Sequence, residues 1–166
     1  MASPIPKGFH TITPHMVVRD AEQAIDFYKK AFGAEEMVRM PGPDGKGVMH
    51  AELQIGDSRF MMCGEWPGME HLGSPQTKKC TTVCLHLYVN DADAVFKKAV
   101  DAGAKPTMPM MDTFWGDRYG KVTDPYGHEW GIATHKKDLT PEQINKGAEE
   151  WFAQTAAHGC KACQTQ

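Results

Sequence analysis

Two histidines, His15 and His86, open two similar stretches of this 166-residue chain, each a few positions ahead of a helix-like run. An imidazole near neutral pH can give a proton, take one or bind a metal, so its neighbours decide the chemistry. The candidates for those neighbours are His50 and Glu52 in VMHAELQI, Cys84 just ahead of His86, and Glu129 in HEWGIATH. Two imidazoles and two carboxylates could hold a divalent ion, or share protons as acid and base. A His–Glu hydrogen-bonded pair inside a polar pocket accounts for the same residues without a metal. Arg118, flanked by Trp115 and Tyr119, offers a planar donor fork between aromatic surfaces and suits a carboxylate or a flat anion. It can equally pair with Asp112 or Asp117, leaving Trp115 to a dimer interface. His10, His71 and His158 read as solvated. The residues name no cofactor.

Alternation places these side chains on one face of each strand. Ile12, Met16 and Val18 form an apolar set that leaves Thr13, His15 and Val17 opposite; Val83, Leu85, Leu87 and Val89 do the same and leave Cys84, His86 and Tyr88. Met49, Ala51, Leu53 and Ile55 turn His50, Glu52 and Gln54 outward, and Trp130 and Ile132 turn Glu129, Gly131 and Ala133 likewise. Both histidines are therefore expected on the face away from the helices, pointing into one shared cavity. Leu85 or Leu87 changed to Ala should cost about 2–5 kcal/mol, as for other buried large-to-small changes.

The elements that position them come as a repeat. HMVVRDAEQAIDFYKKAFGA, from His15, lies without a gap over HLYVNDADAVFKKAVDAGA, from His86, until the helices end. Each copy reads as a strand followed by a helix. Asp20 and Asp91 stand at the helix starts, with Gln23 as a capping-box partner in the first copy. Three strand-like runs separated by turn residues follow each helix. A βαβββ unit of this size covers one sheet face with its helix and leaves the other bare. The fold class is α+β: paired βαβββ modules forming a curved eight-stranded shell around a pocket, plus a C-terminal helix. Residues 8–64 make the first module, 65–79 a Gly- and Pro-rich linker, 80–137 the second module, 138–158 the terminal helix and 159–166 a tail. Thr140, Pro141 and Gln143 mark the start of that helix, and Ile144, Ala148, Trp151 and Phe152 give it an apolar stripe that docks on the domain or on a second subunit.

Composition narrows the partners. A net charge of −3 and scattered lysines provide no basic face for nucleic acid. No run approaches about 18 consecutive apolar residues, so no membrane span is expected. MASPIPKGF lacks the apolar core of a secretory signal, and the default compartment is the cytoplasm. Five cysteines form no regular framework and read as reduced thiols; the C-x-x-C pair Cys160/Cys163 falls in the terminal tail.

The stretches TPHMVVRDAEQAIDFYKKAFGAEE, HAELQIGDSRFMM and FWGDRYGKVTDPYGHEWGIATHKKDLTPEQ resemble the PhnB-like branch of the vicinal-oxygen-chelate superfamily, which includes glyoxalases, bleomycin-resistance proteins and dioxygenases. The resemblance covers roughly residues 10–145 and implies paired modules around a U-shaped pocket, usually in a homodimer. Some members of this branch carry the name ubiquinone methyltransferase, but nothing here resembles a Gly-rich nucleotide loop after a first strand. Metal enzymes of the superfamily hold a divalent ion through one position near the start and one near the end of each module. Those positions fall on Thr13, Met61, Cys84 and Gly131. A single thiol cannot close the coordination shell of such an ion.

Two functions remain open. One is a small-molecule-binding protein without the usual metal-ligand set, its ligand touched by His15, His50, Glu52, Cys84, His86, Trp115, Arg118 and Glu129. The other is an isomerase or lyase using a displaced site, with or without a divalent metal, in which Glu52 or Glu129 is the base and His15 or His86 the acid.

Overall fold

The computed structural model describes residues 2–157; Cys160, Cys163 and His158 lie outside the described residues. Two units with the same topology follow one another. The first contains β1 (His15–Val18), α1 (Ala21–Phe32), β2 (Glu35–Pro41), β3 (Val48–Ile55) and β4 (Ser58–Gly64). The second contains β5 (Cys84–Tyr88), α3 (Ala92–Asp101), β6 (Lys105–Asp112), β7 (Asp117–Thr123) and β8 (Glu129–His135). A one-turn 3-10 helix (Glu70–Leu72) and the short α2 (Pro75–Lys78) lie between them, and α4 (Pro141–Ala157) follows. The strand orders are β1-β4-β3-β2 and β5-β8-β7-β6, with β1 parallel to β4 and β5 parallel to β8. The sequence repeat is thus a repeat of topology.

Local chemistry explains the elements. α1 buries Ala21, Ala24, Ile25, Tyr28, Ala31 and Phe32 on one face, and Gly33 ends it at φ 68°, a left-handed geometry that favours glycine. Asp91 caps α3 by accepting from the Ala94 N–H at 3.0 Å. Asp20 makes no such bond, so the expected capping box with Gln23 does not form; the first turn of α1 closes through the backbone, Ala24 N–H to the Asp20 carbonyl at 2.9 Å. The Thr140–Gln143 box at α4 is reciprocal, at 2.8 and 3.3 Å.

The modules share one core through their helix-covered faces. Met16, Val18, Leu53, Phe60 and Met62 from the first sheet join Val122, Trp130 and Ile132 from the second. Trp130 lies 4.6 Å from Phe32 and 5.5 Å from Tyr28, ring centre to ring centre. The buried Asp124 carboxylate fastens this seam. It accepts from the Tyr28 hydroxyl at 2.8 Å, the Trp130 indole at 2.9 Å and the backbone N–H groups of Tyr126 and His128. Such a fully bonded buried carboxylate is sound, whereas an unbonded one would be costly.

Alternation fails at three places, each with a physical cause. Ile12 and Val83 are exposed, because β1 begins only at His15 and β5 at Cys84. Met49 is exposed and Val48 buried, because the β2–β3 pairing slips between Met40 and Pro41 and reverses the facing of the strand's start. Leu85 and Leu87 pack against the core only partly buried.

Candidate ligand site

On the open face of the first sheet, β1 supplies His15, β3 supplies His50 and Glu52, and β4 supplies Arg59, Met61 and Cys63. The His15 and His50 rings stand 6.1 Å apart, nearly perpendicular. Glu52 lies 3.7 Å from both His50 Nε2 and an Arg59 guanidinium nitrogen. Arg59 also donates to Gln54 and sits over the Phe9 ring. Burial and the neighbouring His50 hold the His15 imidazole below its ordinary pKa, and burial pushes the Cys63 thiol up. Both groups are thereby favoured in their neutral forms.

A cavity of about 380 Å³ opens beside them, walled by His15, Met49 and Cys63 from the sheet and by Trp66, Met69 and Leu72 from the segment between the modules. Trp66 fits there because the β2–β3 loop is glycine-rich: a Cβ at Gly42 would collide with its ring. The Trp66 indole N–H is buried without a hydrogen-bond partner. Sequence reasoning does not reach Met49, Trp66, Met69 and Leu72: the last three fall in a stretch whose composition reads as linker, and alternation places Met49 on the opposite face.

The open face of the second sheet is filled differently. His86 stacks on Tyr119 at 5.4 Å with only 9° between the planes, and lies 4.7 Å from Tyr88. His86 pairs with Gly131 in the β5–β8 ladder, as His15 pairs with Met61 in β1–β4. A Cβ at Gly131 would stand 2.9 Å from the Tyr119 ring and 3.1 Å from His86 Nδ1, so the ring stack occupies the space of a side chain. Burial lowers the pKa of His86, with Asp117 pulling it upward, and burial raises that of Cys84, with Lys121 opposing. Glu129 is bound by Lys121 at 2.6 Å.

Arg118 turns its fork to Asp93, at the start of α3, with bonds of 2.9 and 2.8 Å, and lies 3.7 Å from Asp112. Trp115 donates to the buried Asp117 at 3.0 Å. No ring contact joins His15 to His86 among the described residues. His15 lines the 380 Å³ cavity, and His86 lines a groove of about 270 Å³ with His10, Arg59 and Cys84. Thr13 donates its hydroxyl to the His10 carbonyl at 3.1 Å. Among the described residues, no three His, Cys, Asp or Glu side chains are grouped to hold an ion.

The family model of the Glyoxalase/Bleomycin resistance protein/Dioxygenase superfamily matches residues 8–132. The chain belongs to that superfamily. Within it, the uncharacterized protein Rv0887c of Mycobacterium tuberculosis is 43% identical over 135 residues, 80% of this chain and 79% of its own length. The Arabidopsis thaliana protein At5g48480 is 36% identical over 128 residues, 72% of this chain and 74% of its own. The crystal structure of the At5g48480 product superposes with a TM-score of 0.59 at 31% identity, covering 77% of this chain and 99% of that one. A Bacillus cereus PhnB protein, named a putative 3-demethylubiquinone-9 3-methyltransferase, shares the fold with a TM-score of 0.57 at 19% identity, over 75% and 99% of the two chains. The superfamily and its PhnB-like branch are thus matched in fold, and the α+β pair of βαβββ modules with a terminal helix is the arrangement observed.

Proposed function

We propose that this chain is a small-molecule-binding member of the superfamily that works without the usual metal-ligand set. The 380 Å³ cavity carries the reading: it lies on an open sheet face and combines apolar and aromatic walls with one imidazole, the composition of a small-ligand site. The Gly131 position supports it, because the His86–Tyr119 stack stands where a metal carboxylate would project. The isomerase or lyase reading draws no support from Glu52 and Glu129, since each already faces a cation, Arg59 or Lys121. Metal analysis of protein purified without a histidine tag should find less than about half an equivalent of tightly bound divalent ion. A full equivalent surviving dialysis against chelator overturns the reading.

The protein acts as a homodimer in this proposal, and its place is the cytoplasm. Trp151 and Phe152 remain exposed on α4, where the aromatic neighbours of Trp151 among the described residues are Phe114 and Phe152. Large exposed aromatics of this kind mark association surfaces. Sedimentation at micromolar concentration should give twice the chain mass, and Phe152→Ser should shift it toward the monomer. A monomeric parent protein refutes the dimer.

A further inference from the structure

We infer that the cavity beside His15 selects an uncharged, flat, largely apolar molecule bearing one polar group for the imidazole, and that the segment between the modules supplies its specificity. This rests on the binding function proposed above and names its ligand class.

The walls carry the argument. Trp66, Met49, Met69 and Leu72 offer an indole face, two thioethers and an aliphatic chain, surfaces that suit an aromatic ring. None carries a charge. The ionisable groups in the wall are His15 and Cys63, and burial favours the neutral form of both. The charged pair on the same sheet face, Arg59 and Glu52, faces itself at 3.7 Å, and no cation stands in the cavity wall among the described residues. An anion entering the cavity would lose its hydration and meet no cation in that wall. A neutral imidazole, in contrast, is both donor and acceptor, and can bond a hydroxyl or carbonyl without a change of charge.

Specificity from the inter-module segment follows from where the walls come from. The strands supply His15, Met49 and Cys63, while Trp66, Met69 and Leu72 project from a stretch outside both sheets. Leu72 remains exposed, so enlarging it fills the cavity without disturbing the core.

The experiment titrates the full chain at pH 7.5 with 2-naphthol, uncharged there, and with 2-naphthoate, its anionic counterpart of similar size. Calorimetry gives affinity, and the Trp66 indole N–H signal in a proton–nitrogen spectrum, assigned by its loss in Trp66→Phe, gives location. Naphthol should bind at least about tenfold tighter than naphthoate, the scale of one well-made polar contact, and should move the Trp66 signal. Leu72→Trp should abolish naphthol binding with an unchanged thermal midpoint. Naphthoate binding equally well or better overturns the neutral selectivity but leaves small-molecule binding standing. Naphthol binding that leaves the Trp66 signal unmoved, or survives Leu72→Trp, places the ligand elsewhere and overturns the inference. Failure of both probes to bind overturns this inference, while the binding function stands or falls on the metal analysis above.

Discussion

The two modules have the same topology and set a histidine at the same register of the first strand, yet their open faces have become different objects. Around His15 the sheet stays open, and the inter-module segment folds over part of it to leave a cavity. Around His86 the space is taken: Tyr119 stacks on the ring, Gly131 makes room for the stack, and Lys121 and Glu129 neutralise each other. The interiors differ too. α1 buries seven residues, whereas α3 buries only Ala92 and Ala99. A repeat therefore fixes where a side chain starts from, while its non-repeated neighbours decide what it can do.

Core truncation should expose this asymmetry most strongly. Leu53, fully buried in β3, should cost about 2–5 kcal/mol when changed to Ala. Leu87 in β5 is only partly buried, so its change should fall at or below the bottom of that range. Urea unfolding of both variants measures the gap; equal losses would mean that the modules are equally packed. A smaller effect is expected from placing a carboxylate at Gly131. Gly131→Glu must push aside the His86–Tyr119 stack, an overpacking worth about 1–3 kcal/mol. It should gain no tight metal, because no group of three His, Cys, Asp or Glu side chains stands ready to hold one among the described residues. A stable Gly131→Glu protein that takes up an equivalent of zinc would show that the second face is an intact metal site lacking one ligand.

Much of this was legible in the residues. The βαβββ repeat, the Asp91 cap, the Thr140–Gln143 box and the facing of Leu53, Trp130 and Ile132 all arise from interactions local in sequence or from strict alternation. What was illegible depends on contacts between distant segments. The sequence offers Arg118 Asp112 and Asp117 as partners, but its main partner, Asp93, comes from the first turn of α3. Trp66 becomes a wall because glycines in the β2–β3 loop receive it, which composition alone presents as two unrelated turn-rich stretches. The bulge at Met49, between Val48 and His50, is invisible to a period of two, because it changes the phase without changing the residues.

The smallest predicted effect separates the modules by the sign of their pH dependence. In the second module, His135 bonds Asp117 at 2.8 Å and Asp138 at 3.1 Å, and these carboxylates raise its pKa above 6.5. Its contribution to stability is fully present below 6.5 and is lost as pH rises through the raised value. In the first module, burial and His50 lower the pKa of His15 below 6.5. There the unfolded chain binds the proton more readily, so stability falls as pH drops from 6.5 toward the lowered value. Both groups are open to solvent and the effects are correspondingly modest. Proton NMR titration of the imidazole signals should place His135 above 6.5 and His15 below it. His135→Gln should remove the alkaline-side decline in stability, and His15→Gln the acid-side one. If His135 titrates at or below His15, the carboxylates around it are not acting as its partners in solution, and the electrostatic distinction between the two modules is lost.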